Sequence, residues 1–385
     1  MFKEKNKLPN GGGVMSELFY FTFPAIRGIQ AKREYYVSMC PMKLIPKMFV
    51  FDDVDLPPEM RSQRVLNKAR IPEMASYMTE NSDSYTFSAI TVSIDGEVEF
   101  SPLYDHPDYY NIGTIKIPMT SRFIINDGQH RRAAIETALK KKPELGNETI
   151  SVVFYIDIGL KNSQQMFSDL NRYAVRPTKS LNVLYDYRDP LAQIVKTLIE
   201  EVPAFESMVE VEKSTISNRS RKIFTLSSIY NATKNLLKGI FSQEGTNQDY
   251  KEQLNIAITF WNKVSSIIKE WQAVKNGEIS PLELRKEYIH SHSLALIALG
   301  KAGNSLIIKK PNSWEQELDK LERVNWKRSN KKVWEGRATT GGRVSNSIFN
   351  QTLVTNYLKM VLELPLSQEE KKYEKSINEK DDTIE

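Results

Sequence analysis

One cysteine, Cys40, in 385 residues excludes a disulfide within the chain and a zinc site built on thiolates. Histidine is nearly as scarce. The four, at 106, 130, 290 and 292, include no HExxH pair, so no dedicated transition-metal site is expected. His290 and His292 are two apart, diverge on a helix, and read as helix-surface or N-terminal residues. Cys40 lies in an apolar run and reads as a buried structural thiol rather than a redox sensor. Long apolar runs are missing too. Stretches such as SLALIALG (293–300) fall far short of the roughly 20 residues a membrane helix takes. The opening MFKEKNKLPNGGGVM has no signal-peptide core. The expectation is a cytoplasmic protein with no membrane partner. There is also no GxxxxGK[ST] phosphate loop and no cysteine array for an iron–sulfur cluster.

What is present is ordinary in bulk and informative in detail. Hydrophobic residues make up 40% and charged residues 26%, values usual for soluble globular chains. At roughly 100–200 residues per domain, two or three domains are expected. Lys and Arg number 53 against 48 Asp and Glu, a net charge of +5, so any polyanion site must come from local clustering.

Residues 1–16 read as a flexible leader. From 17 to 190 the pattern alternates. ELFYFTFPAIRGIQ (17–30) is a strand that enters a turn at Pro24 and Gly28, and EYYVSMC (34–40) is a second extended run. A helix is expected from about Ile71 to Thr79, with Pro72 in its first turn. TFSAITVSIDG (86–96) reads as a strand ending in an Asp-Gly turn into EVEFSPL. Strands follow at Thr114–Ile117 and Arg122–Ile125, then the Asp127-Gly128 turn and a helix to about Lys141. TISVVFYIDI (149–158) is a buried strand, and NSQQMFSDLNRYA begins a helix capped by Asn162 or Ser163. From 191 to 366 the texture is amphipathic helix at 3.6 spacing. The tail, 367–385, carries seven acids and four bases with almost no apolar residues, and reads as a charged flexible extension. The fold class is therefore α+β: an α/β domain, then a mainly helical one.

The segment RFIINDGQHRRAAI (122–135) carries the most chemistry. Gly128 allows positive φ or close approach of a ligand. The helix start behind it offers unpaired N–H groups and the positive end of the dipole, a setting for phosphate. Arg131 and Arg132 add planar forks, about 100° apart, so one is expected to face the ligand. Asp127 can cap the helix or orient a bound group, Gln129 lies within the same turn, and His130 can donate to phosphate or move a proton. An Asp-Gly turn before a surface helix with solvated arginines is the plain alternative. Asp169 and Asn171 in FSDLNRYAVRP are placed either in the same pocket or at a helix end.

Basic clusters point to a polyanion independently. KSTISNRSRK (213–222) holds Lys213, Arg219, Arg221 and Lys222 with no acid, among hydroxyls and amides that bind phosphate oxygens. ERVNWKRSNKKVWEGRATTGGR (322–343) sets seven bases against two acids. Lys327, Arg328, Lys331, Lys332 and Arg337 are its candidates, and Trp326 and Trp334 either stack on bases or fill the core. RSQRVLNKAR (61–70) adds Arg64, Lys68 and Arg70.

DGQHRRAA resembles the signature of DGQHR-domain proteins, related to the ParB and sulfiredoxin-like fold, in which the equivalent glycine–arginine segment contacts nucleotide phosphates. FTFPAIRGIQAKREYYVSMCPMKLIPKMF, LPPEMRSQRVLNKARIPEMASYM, FSDLNRYAVRPTKSL, SNRSRKIFTLSSIY and VNWKRSNKKVWEG together resemble the DndB proteins of bacterial DNA phosphorothioation systems. In those systems a non-bridging phosphate oxygen of DNA is replaced by sulfur. The resemblance implies a ParB/sulfiredoxin-like N-terminal domain and a DNA-binding regulator of the modification gene cluster. It implies as partners promoter DNA and other phosphorothioation proteins; a homo-oligomer is left open, since the sequence does not reveal the oligomeric state. Two alternatives stay open: a nucleoside-triphosphate-binding or hydrolysing enzyme using the 127–132 turn, and a non-catalytic subunit docking on the modification complex.

Overall fold

In the computed structural model the described residues are 19–49, 67–156, 165, 166, 169, 170, 177–240 and 247–381. They divide between two units, 1–175 and 176–385. The first is built on seven strands: β1 (Tyr20–Gln30), β2 (Arg33–Pro41), β3 (Ile90–Asp95), β4 (Glu99–Pro102), β5 (Ile112–Pro118), β6 (Arg122–Asp127) and β7 (Thr149–Ile156). Their order is β4-β5-β1-β2-β7-β3-β6, and β3–β7 is the parallel pair. The most strongly β-branched run takes the inner position. Ile150, Val152 and Phe154 of β7 are buried on one face while Ser151, Val153 and Tyr155 are half-buried on the other. Ile90, Val92 and Ile94 of β3 continue the covered face, and α1 (Ile45–Met48), α2 (Arg70–Glu80) and α3 (Gln129–Lys141) complete that core through Ile45, Met78, Ile135 and Ala138.

Two sequence expectations change here, and the buried reading of Cys40 holds. Pro24 and Gly28 do not end β1. The β1–β2 ladder instead starts at Ala25, one residue past the proline, whose missing N–H could not join it. Cys40 is fully buried, and that burial pushes its thiol up to about 12. The Asp95-Gly96 turn makes no hairpin: β4 pairs with β5 at one edge, and β3 lies between β7 and β6. With Ile90 through Ile94 all buried, β3 needs a neighbour on each side, whereas half-exposed β4 suits an edge.

The second unit is helical: α4 (Lys179–Tyr185), α5 (Pro190–Glu201), α6 (Leu226–Leu237), α7 (Asn247–Ile267), α8 (Lys269–Lys275), α9 (Pro281–Glu287), α10 (Ser293–Lys309), α11 (Trp314–Glu317), α12 (Lys331–Trp334), α13 (Ile348–Val361) and α14 (Gln368–Asp381). Two short pairs, β8 (Val209–Glu210) with β9 (Phe224–Thr225) and β10 (Thr339–Thr340) with β11 (Arg343–Val344), tie loops together. Thr178, Asp189, Thr225, Ser280 and Ser347 cap the starts of their helices by accepting backbone N–H bonds. The run SLALIALG begins α10, which is apolar on nearly all sides and therefore central. Among the described residues no helix is long and apolar enough to cross a membrane.

The tail departs from its expectation through residue 381. Ser367 and Glu370 form a capping box, each accepting the other's N–H, at 3.2 and 2.8 Å. Glu374 then takes a bidentate bond from Arg337 at 2.7 and 2.9 Å, and Lys359 pairs with Glu370. Tyr373 packs against Phe349. The anchors are ion pairs and one ring, so composition alone reads as a solvated segment.

Gly300 and Gly303 let α10 approach its neighbours. A Cβ at 300 would sit 2.2 Å from the Ala232 carbonyl oxygen of α6, and one at 303 would sit 2.3 Å from Phe260. The Gly300 clash is with backbone, so the helices would have to separate. Gly300→Ala is expected to lose roughly 1–3 kcal/mol of stability, read as a lower urea midpoint. An unchanged midpoint would show that α6 and α10 are not closely packed there.

Candidate functional site

β6 reaches the Gly128 turn through a bulge. Thr91 faces Asp127 but Val92 faces Ile125, leaving Asn126 as the extra residue. Its side chain turns inward and donates to Ser93 Oγ at 2.6 Å. Gly128 then takes φ 106°, ψ 13°, and a Cβ there would press Ile90 at 3.1 Å and the Arg131 guanidinium at 3.2 Å. The first turn of α3 has no side-chain cap, and neither does that of α2. The two starts meet: the Asn67 N–H donates to His130 Nε2 at 3.1 Å. Because Nε2 accepts, His130 is neutral with its proton on Nδ1. Burial lowers its pKa, and the charges of Arg70 and Arg131 lower it further.

The arginines are anchored rather than solvated. Arg131 Nη2 donates to Asp127 Oδ2 at 2.8 Å and to the Ala89 carbonyl at 2.9 Å, while its buried Nε has no hydrogen-bond partner. Arg132 points away from the turn. It pairs with Glu136 and donates to the Phe49 and Pro46 carbonyls at 2.8 and 3.2 Å, so its fork is a strut that closes α1 onto α3. Gln129 is buried and donates to the Ile125 carbonyl at 3.4 Å. Asp169 is exposed and accepts from Gln165 at 2.8 Å. Lys68 and Arg70 are exposed at the start of α2. Asn171 and Arg64 lie outside the described residues.

In the helical unit the two basic loops share one scaffold, α9. Arg285 donates to the carbonyls of Lys222 at 2.6 Å, Ser217 at 3.2 Å and Asn218 at 3.5 Å. The second loop docks at the end of the same helix. The Arg328 N–H donates to the Glu287 carbonyl at 2.7 Å, and its guanidinium donates to the carbonyls of Lys286 and Gly342 at 3.0 and 2.6 Å. With the backbone held from inside, Lys213, Arg219, Arg221, Lys327, Lys331 and Lys332 are exposed. Lys222 is half-buried and donates to the Ser207 carbonyl at 2.9 Å. Trp326 and Trp334 are buried, stacked at 5.5 Å, and Trp334 Nε1 donates to the Asn325 carbonyl. They fill the core rather than form a stacking platform. Arg337, spent on Glu374 and the Leu353 carbonyl, is likewise structural.

A family model described as DndB, DNA-sulfur modification-associated, matches residues 23–365. The chain belongs to the DndB family. Among curated proteins and solved structures, none matches it. The DndB match spans both units and takes in the Gly128 turn and both basic loops. It associates the protein with DNA phosphorothioation systems.

The DndB sequence gave no warning of the Arg285 anchor, because one arginine on a short helix has no pattern until the loop carbonyls surround it. The two late histidines also sit deeper than a helix surface. His290 is fully buried, and His292 is the half-buried N-cap residue of α10, its Nε2 3.0 Å from the Arg285 carbonyl. Burial depresses His292 from the ordinary 6.5 to about 4. Between those values the unfolded chain binds the proton that the native state refuses, so stability falls as pH drops from 6.5 toward 4. The urea midpoint is expected to decline over that window and to decline less in His292→Gln. Equal slopes for the two proteins would remove His292 from the account.

Proposed function

We propose that the protein binds DNA through loops 213–222 and 324–332 and regulates transcription of a phosphorothioation gene cluster, with promoter DNA as its partner. The observation that carries this reading is the inward anchoring of both loops on α9. It leaves Lys213, Arg219, Arg221, Lys327, Lys331 and Lys332 exposed on backbone that is already ordered. Cations so presented bind phosphates without the cost of ordering a loop first. The family's association with DNA sulfur modification supports the same partner. No helix-turn-helix is evident in the sequence, so contacts to the DNA backbone and its shape carry recognition.

A second reading has its own observation. Two uncapped helix starts converge beside Gly128, with Arg70 and Arg131 close by. That arrangement favours an oxyanion such as the phosphates of a nucleoside triphosphate, bound as a ligand that tunes DNA affinity or hydrolysed there. Arg131 would have to divide its fork between the ligand and Asp127.

One titration tests both. Affinity for promoter duplex should fall steeply with salt, and Lys327→Ala with Lys331→Ala and Lys332→Ala should reduce the log–log slope by about 2–3. ATP should shift the wild-type curve and leave that of Arg131→Ala unmoved. Salt-independent binding, or a triple variant that matches wild type, would sink the DNA reading. An ATP-insensitive wild type with no turnover would sink the nucleotide reading.

A further inference from the structure

A cleft of about 910 Å³ opens in the helical unit between the end of α5, α7 and α8. Its wall carries three carboxylates, Glu201, Glu270 and Glu278, against one ammonium, Lys269, with Asn262 and the ring of Tyr288 among the other lining groups. The middle carboxylate is set from behind. Trp271 Nε1 can only donate, and it donates to His290 Nδ1 at 3.0 Å. His290 therefore carries its proton on Nε2, which is buried, has no hydrogen-bond partner, and faces Glu270 Oε2 at 3.6 Å. That distance is too long for a hydrogen bond, but it keeps the ring N–H dipole beside the carboxylate. Protonating His290 further would break the Trp271 bond and place a cation in a fully buried site, so the charge stays on Glu270. The polar contact with His290 holds the Glu270 carboxyl below its usual range, and the charge of Lys327 acts in the same direction.

We infer that this cleft binds a small organic cation of the guanidinium or primary-amine class, with Glu270 as the acceptor and Tyr288 as the aromatic wall. An oriented carboxylate pairs with planar or tetrahedral N–H donors, and a ring beside it favours positive charge on its face. Tyr288 stacks one side on His290 at 5.1 Å. A metal ion is a poorer fit, because among the described residues no three His, Cys, Asp or Glu side chains are grouped to hold one. The cleft wall is continuous with the second basic loop. Tyr288 bridges Lys327, and the Ile289 N–H donates to the Trp326 carbonyl at 3.0 Å. The inference does not depend on DNA binding, and its test contains no DNA.

The probe is agmatine, which carries a guanidinium and an ammonium, titrated calorimetrically into the full chain at constant ionic strength. Saturable binding is expected, weakened about tenfold or more in Glu270→Gln. Glu201→Lys, on the exposed rim and away from His290, should weaken it similarly, and it covers the case in which Glu270→Gln does not fold. Tetramethylammonium, with the charge but no N–H, should bind about tenfold more weakly than agmatine. Absence of saturable agmatine binding to the wild type would overturn the proposal. So would wild-type affinity in the folded variants, or tetramethylammonium binding as well as agmatine.

Discussion

A loop crowded with like charges resists order, and in this protein the resistance is met from the inside. Arg285 and Arg328 place their guanidinium groups among main-chain carbonyls of residues 217–222, 286 and 342, and α9 carries or receives both. Carbonyl oxygens are the acceptors such loops have in surplus, and a fork with five donors satisfies several at once. The arrangement splits the basic residues into two roles. Arg285 and Arg328, with Lys222 and Arg337, bind the protein to itself, and Lys213, Arg219, Arg221, Lys327, Lys331 and Lys332 are turned outward at no further cost in order.

The same division recurs at Gly128. Of the two adjacent arginines, Arg132 closes the start of α3 onto the 46–49 segment, and Arg131 stays at the turn in contact with Asp127. Charge counting along the sequence treats all these residues alike. What separates them is whether a carbonyl or a carboxylate lies within reach, and for Arg131 and Arg132 the carbonyls come from chain segments 42 to 86 residues away in sequence.

Much of the architecture was nonetheless legible. The strand–turn–helix at 122–141, the helix at 70–80 and the capped helices after 178 follow from local rules, namely β-branched runs, Asp-Gly, and Ser, Thr or Asp before an apolar period. Strand pairing was not, because partners such as β3 and β7 are set by burial on both flanks rather than by the nearest turn. The tryptophans at 326 and 334 show the limit most plainly. Interleaved with lysines they suit a stacking surface or a core equally well, and only their 0–6% exposure and the Asn325 carbonyl bond decide for the core. The His290–Trp271 pair was beyond reach for a similar reason: nothing local in either residue announces an indole donating to an imidazole.

The α14 anchor has a consequence for anyone who shortens the chain. Cutting after residue 366 looks harmless by composition, yet it would strip Arg337 of Glu374 and Lys359 of Glu370. Arg337, 13% exposed with α14 in place, would lose its bidentate carboxylate and keep the Leu353 carbonyl and the Tyr357 ring as neighbours. Trimming a segment that looks like decoration would thus unsettle α13 and the 337–340 turn, whose backbone is knitted to the basic loop beside it.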